Sequence, residues 1–125
     1  MHYSKLRISQ DASSKLRGLQ QKVGITPNLI CRYALMTSLE SGAIGDAPVP
    51  NEDGQEFNAY TLTGEQTQLF LATISFVESP SGIEKITEAR LVELLRSHIH
   101  RGIGALAARV KSPLDLFCFE ADDVE

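Results

Sequence analysis

The stretch Lys22–Gly42, KVGITPNLICRYALMTSLESG, decides how the rest of the chain is read. Gly24 closes a preceding helix in the manner of a left-handed C-terminal residue. Thr26 then stands at a cap position and Pro27 at the first helical position, where its missing N–H costs nothing. Leu29, Ile30, Cys31, Tyr33, Ala34, Leu35, Met36 and Leu39 surround the new axis, interrupted by Arg32, and Ser41-Gly42 stops it. No acid lies in the first turn, so the positive end of this helix is bare. A helix that is apolar all round must be covered on several sides. With so short a chain before it, the expected cover includes a second subunit, since isologous dimers are the commonest assembly. The chain's own later helices are the other available cover, and both can act together.

Upstream, KLRIS (residues 5–9) alternates: Lys5 and Arg7 on one side, Leu6 and Ile8 on the other. That predicts a short strand with one basic face. A helix follows, capped by Ser9 or Asp11, with Ala12, Leu16, Leu19 and Val23 as a narrow buried stripe and Lys15 and Lys22 on its wet side. Downstream, residues 43–65 form a long connection rich in proline, glycine and acids, in which EFNAYTL (56–62) has a mild strand-like alternation. Thr63–Gln66 reads as a capping box. QLFLATISFVES (68–79) is expected as a buried helix, although its β-branched residues also suit a strand. A further helix over 83–102 is expected to be interrupted at Gly102 and Gly104, to resume over 105–110, and to end before Pro113. The fold class that results is mainly α. A ribbon-helix-helix-like unit over 5–42 is followed by further helices in one domain, 1–113, with an acidic tail over 114–125.

Composition bounds the function. The chain has 125 residues, 42% hydrophobic and 22% charged, which suits an ordinary globular domain that needs neither disulfides nor a metal. No apolar run approaches a bilayer span, and no secretory signal is visible, so a cytoplasmic location is expected. Cys31 and Cys118, each among apolar residues, read as buried free thiols. The net charge of −4 argues by itself against nucleic acid, but its distribution does not. Residues 1–41 carry a balance of +4, residues 42–85 of −6 and residues 86–125 of −2. A basic front of this kind is the footprint of a polyanion-binding face, set against the plainer reading of scattered surface charge.

The order strand, helix, glycine turn, Thr-opened helix is that of a ribbon-helix-helix. In that arrangement strands from two subunits pair, and the ribbon places Lys5 and Arg7 in the DNA major groove. Thr26 and Asn28 mark a helix N-terminus whose free N–H groups are aimed at a phosphate. Other chemistries find little support. His98 and His100 point about 200° apart on a helix and cannot share one metal. His98 is expected near the core and His100 near the helix end. Arg101 is placed in a last turn that suits the dipole, with a phosphate as its other partner. RGIG (101–104) is too short for a nucleotide loop. Glu52, Asp53 and Glu56 lie in a loop where solvation is the default, so no acid–base catalysis is expected of them. No Ser-His-Asp or Cys-His set is evident, and neither cysteine has a basic neighbour at i±4. No catalytic residue, no cofactor and no metal is expected.

LRIS, GITPNLICRYALMTSLE, EDGQEFNAYTLTGE and HIHRG, in that order over roughly residues 5–102, resemble the DNA sulfur modification protein DndE family. The resemblance implies a small non-enzymatic accessory protein of the bacterial system that places phosphorothioate in the DNA backbone. It further implies a homotetramer that prefers nicked duplex and contacts it through lysines. Its partners would be a cysteine desulfurase, an ATP-hydrolysing protein and an iron–sulfur protein. Lys15, Arg17 and Lys22 are the first candidates for backbone contact, and Lys5 and Arg7 the next. Three rivals remain at this stage: a sequence-specific ribbon-helix-helix repressor or antitoxin, a scaffold subunit that binds no DNA, and a hydrolase or transferase, which would need the acidic loop buried near a bound metal.

Overall fold

A computed structural model describes residues 2–118. In chain order it has β1 (Lys5–Arg7), α1 (Gln10–Val23), α2 (Pro27–Glu40), β2 (Glu56–Asn58) and α3 (Ala59–Leu62). A single 3-10 turn (Gly64–Gln66) then leads into α4 (Thr67–Glu78), α5 (Glu88–Arg109) and α6 (Pro113–Cys118). The chain is thus mainly helical, with one two-stranded antiparallel sheet.

The first helix forms as its sequence requires. Ser9 rather than Asp11 is the N-cap, its hydroxyl accepting from the Ala12 N–H at 3.0 Å. Gly24 ends the helix at φ 68°, a conformation open to glycine at no steric cost. Ala12, Leu16, Leu19 and Val23 are buried as the periodicity demands.

The long helix α5 organises the core. It packs against α2 most extensively, and also against α1 and α4. Leu91, Leu94, Leu95, Ile99, Ile103 and Leu106 are buried along it. Gly102 and Gly104 do not interrupt it; it runs unbroken to Arg109. The reason at Gly102 is steric. A Cβ there would overlap the carbonyl of Ala34, so the glycine is what lets α2 and α5 cross this closely. Burial of both helices more than repays the propensity that a mid-helix glycine forfeits, which is about 1 kcal/mol.

This crossing supplies one of the two covers expected for α2, the chain's own later helices. Ile30, Cys31, Ala34, Leu35, Thr37 and Ser38 are buried, and much of that cover comes from α5 of the same chain. Leu29 and Met36 remain 41% and 46% exposed. Likewise α4 is a helix, but only Leu71 and Ile74 on it are buried, with Leu69 and Phe76 left exposed.

The expected capping box at Thr63 is not made. The Thr63 hydroxyl instead bonds the phenol of Tyr3 at 2.7 Å and the hydroxyl of Thr67 at 2.6 Å, while Asn58 caps α3. At the other end of the chain, Leu116 of α6 is buried. The tail beyond Cys118 and the side chain of Cys118 lie outside the described residues.

Candidate nucleic-acid interface

The exposed surface of α1 carries the cations the sequence singled out. Lys15 and Lys22 lie seven residues apart, on nearly one face and about 10 Å along the axis. Arg17 is turned away from them by more than a right angle. All three are exposed. Lys15 is paired with Asp11 one turn earlier at 3.0 Å. Arg17 and Lys22 have no ion-pair or hydrogen-bond partner among the described residues.

The strand cations are in a different state. β1 pairs with β2 of its own chain, Lys5 opposite Asn58, Leu6 opposite Phe57 and Arg7 opposite Glu56. Glu56 pairs with both cations, at 3.6 Å to Lys5 and 3.4 Å to Arg7, and Arg7 also donates to the Gly54 carbonyl at 3.2 Å. Ser4 and Ile8 make their backbone bonds toward the β2 side, so by strand alternation Arg7 turns its carbonyl to the other edge. There it accepts from Arg96 Nε at 2.9 Å. The ribbon expected from two subunits is therefore formed within one chain, and its far edge is met by a guanidinium.

The start of α2 offers less to an anion than its sequence suggests. Thr26 is exposed and makes no side-chain cap, but its carbonyl accepts from both Leu29 and Ile30 N–H at 3.1 Å. Pro27 has no N–H, so of the first-turn donors the Asn28 N–H is the one without a backbone partner among the described residues. The Asn28 side chain donates to the Thr61 carbonyl at 3.2 Å. The shallow cleft at this helix start is lined by Glu56 as well as Asn28, which adds a carboxylate where a phosphate would sit. Lys5, Arg7, Thr26 and Asn28 thus cluster around β2, apart from the α1 cations.

Arg32, Arg96 and Arg101 are structural. Arg32 donates to the Leu62 carbonyl at 2.7 Å and to Thr61 at 3.3 Å, closing the end of α3. Arg96 is buried and also reaches Glu52 at 3.3 Å. Arg101 lies inside α5, not in a last turn, and donates to the carbonyls of Ser38, Gly42 and Ala43. It satisfies the C-terminal carbonyls of α2, where positive charge also complements the dipole.

Beside Arg101 runs a polar chain that sequence spacing does not reveal. Arg101 Nε–H donates to Ser38 Oγ at 2.8 Å, and Ser38 in turn meets His98 Nδ1 at 2.8 Å. His98 Nε2 meets Glu78 Oε2 at 2.8 Å, and Glu78 accepts the N–H groups of Ile44 and Gly45. Burial lowers the His98 pKa, helped by Arg101 and opposed by Glu78. Burial pushes the Glu78 carboxyl up, but its bonds to Ile44, Gly45 and His98 outweigh this and hold it low. At neutral pH the consistent state is a neutral imidazole donating from Nε2 to an ionised Glu78 and accepting at Nδ1 from Ser38. His98 is fully buried, so it lies in the core as expected. His100 is half-buried, away from the helix end, and bonds Ser9 Oγ through Nδ1 at 2.7 Å. Burial pushes the Cys31 thiol up to about 12. Among the described residues no group of three or more His, Cys, Asp or Glu side chains is placed to hold a metal ion. No described helix is long and apolar enough to cross a membrane.

The family profile of DNA sulphur modification protein DndE matches residues 5–113. The chain belongs to the DndE family. Its fold is similar to that of the crystal structure of DndE from Escherichia coli B7A, a protein involved in DNA phosphorothioation modification. The TM-score is 0.70 at 25% identity, over 85% of this chain and 100% of that one. The crystal structure of a DndE mutant with glycines replaced by lysine is similar at TM-score 0.67 and 24% identity, over 85% of this chain and 99% of that one. No curated protein matches the chain. Membership in this DndE family places the chain in DNA sulfur modification, as the resemblance implied.

Proposed function

We propose that this chain is a non-enzymatic DNA-binding accessory protein of bacterial DNA phosphorothioation, acting in the cytoplasm on nicked or intact duplex. The observation that carries this reading is the exposed surface of α1. In a chain of net charge −4 that belongs to a DNA-modification family, Lys22 and Arg17 are exposed with no acid partner among the described residues, Lys15 shares the Lys22 flank, and Arg17 lies on the other flank. Phosphate neutralisation by such groups gives affinity that falls steeply with salt. A nick adds a preference because it lets the duplex bend onto a protein surface that intact duplex resists.

The non-enzymatic part is supported by the state of the nucleophiles. Ser38 is buried, its hydroxyl faces Nδ1 of His98, and it already receives Arg101. Cys31 is buried with its thiol held protonated. Assembly into a homo-oligomer, with a tetramer as the expected size, is supported by Leu29 and Met36 of α2 and Leu69 and Phe76 of α4, which a single chain leaves exposed. The same surfaces suit the other proteins of the system. With its base-reading cations paired to Glu56, the ribbon serves this reading poorly as a groove probe, so little sequence preference is expected.

The test is binding to intact, nicked and single-stranded DNA across a salt series. Wild type should bind with a slope that drops by about one for each phosphate contact removed in Arg17→Ala and Lys22→Ala. No binding to any of the three at low salt would leave the scaffold reading in its place.

A further inference from the structure

A cleft of about 360 Å³ opens between α1, α5 and the loop that follows α2. That volume is in the range of small-ligand sites. One wall is apolar, from Ile44, Pro48 and Pro50; the other carries Lys15, Ser97 and His100. Two features of this cleft have no explanation within the fold. Ser97 is only 4% exposed, yet its hydroxyl has no hydrogen-bond partner among the described residues. A buried hydroxyl left unpaired is costly, and most such groups in native proteins are satisfied. The second feature is Gly104. It sits inside α5, where glycine weakens a helix, and a Cβ there would meet nothing within 4 Å. Gly102, two residues earlier, is required by the Ala34 carbonyl; Gly104 is required by no described residue, and it lines the cleft and keeps it open.

We infer that this cleft receives one unstacked nucleotide, with its base against the proline wall and its acceptors facing Ser97 and Lys15. The chemistry selects that class of ligand. Pro48 and Pro50 offer a flat apolar surface to a ring. The facing groups can all donate: an ammonium, a hydroxyl and an imidazole whose Nδ1 is already engaged by Ser9. The one acid, Asp11, is neutralised by Lys15 at 3.0 Å. An acceptor-rich planar group with a phosphate fits this set. The source is also at hand, because Lys15 lies on the same face of α1 as Lys22, so the cleft mouth adjoins the proposed phosphate track. A strand end at a nick can leave its stack at less cost than a base inside intact duplex. The inference rests on the DNA-binding reading and adds to it a physical means of sensing a nick.

The experiment places the fluorescent base aminopurine on either side of a nick and follows its emission as protein is added. In parallel, nucleoside monophosphates are titrated onto isotope-labelled protein. Wild type should brighten the base at the nick but not in intact duplex. The monophosphates should shift the amides of Ser97, His100 and Gly104. Gly104→Leu fills the cleft from a position with room for the side chain, and should weaken both responses about tenfold, the scale of one lost base contact. Ser97→Ala should weaken them about fivefold, the scale of one hydrogen bond. Circular dichroism melts establish that both variants fold. Nicked duplex bound without any rise in emission, or a rise that Gly104→Leu keeps in full, overturns the cleft and leaves the DNA-binding reading intact. If no DNA binds, that reading fails; monophosphates that shift none of the three amides would then overturn the cleft independently.

Discussion

The interior seam between α2, α4 and α5 and the exposed surface of α1 treat charge in opposite ways. In the seam the charged groups and the histidine are answered: Arg101 by Ser38 and the carbonyls after it, His98 by Ser38 and Glu78, Glu78 by two backbone N–H groups. On α1, Lys15 has one acid, and Arg17 and Lys22 have none among the described residues. The difference separates the cations that build the molecule from those it can present. A guanidinium already holding three carbonyls has little left for a phosphate, whereas an exposed and unpaired one loses only counterions on binding. β1 lies between the extremes, because Lys5 and Arg7 are exposed but share Glu56.

The comparison can be broken most severely at Gly102. Gly102→Val drives a branched side chain into the Ala34 carbonyl and should cost about 3 kcal/mol or prevent folding, read as the midpoint of a denaturant melt. A result near zero would mean that the crossing is looser than described.

Next is the seam itself. Glu78→Gln keeps one acceptor oxygen but sets an NH2 where the other carboxylate oxygen accepted, so it loses at least one of three charge-assisted bonds and should cost about 2 kcal/mol. The pH dependence has a definite sign. His98 and Glu78 both have folded pKa values below their ordinary ones, so the unfolded chain binds more protons. Their contribution is complete above the ordinary imidazole value of about 6.5 and declines as pH falls through the folded values, His98 first. Melts from pH 7.5 to pH 5 should show stability falling, and His98→Gln should flatten that slope.

The α1 face is sharpened by the reverse experiment. Arg17→Ala and Lys22→Ala should leave stability within about 0.5 kcal/mol while weakening DNA binding in low salt. Glu56→Gln frees two cations and should strengthen binding severalfold under the same conditions, with the gain lost as salt rises. A modest gain in stability is expected at Gly18. It lies inside α1, a Cβ there meets nothing, and Gly18→Ala should add about 0.5–1 kcal/mol to stability.

Much of the architecture was legible in the chain. The caps at Ser9 and Gly24, the buried stripe of α1, the proline at the start of α2 and the helix over Thr67–Glu78 are local signals with local causes. The candidate site was legible only as a set of residue types. Lys15, Arg17 and Lys22 are where the periodicity puts them, but nothing in their spacing tells that Lys15 is paired with Asp11 or that the other two are not. The misreadings share one cause. Gly102 and Gly104 look like helix breakers because propensity is local, while the carbonyl that requires the first of them comes from a residue 68 positions earlier. Thr63 looks like a cap until Tyr3, at the other end of the sequence, takes its hydroxyl.

By itself the sequence determined the helical class, the position of most elements, the basic front and the family, because each follows from periodicity, capping residues or matched motifs within one stretch. Tertiary structure alone decided which cations remain available, that β1 pairs with β2 inside the chain, and that Ser38, Glu78 and His98 meet in one buried seam. The physical reason is that pairing and burial depend on distances between residues 20 to 60 positions apart, and those distances exist only once α5 has packed across α2.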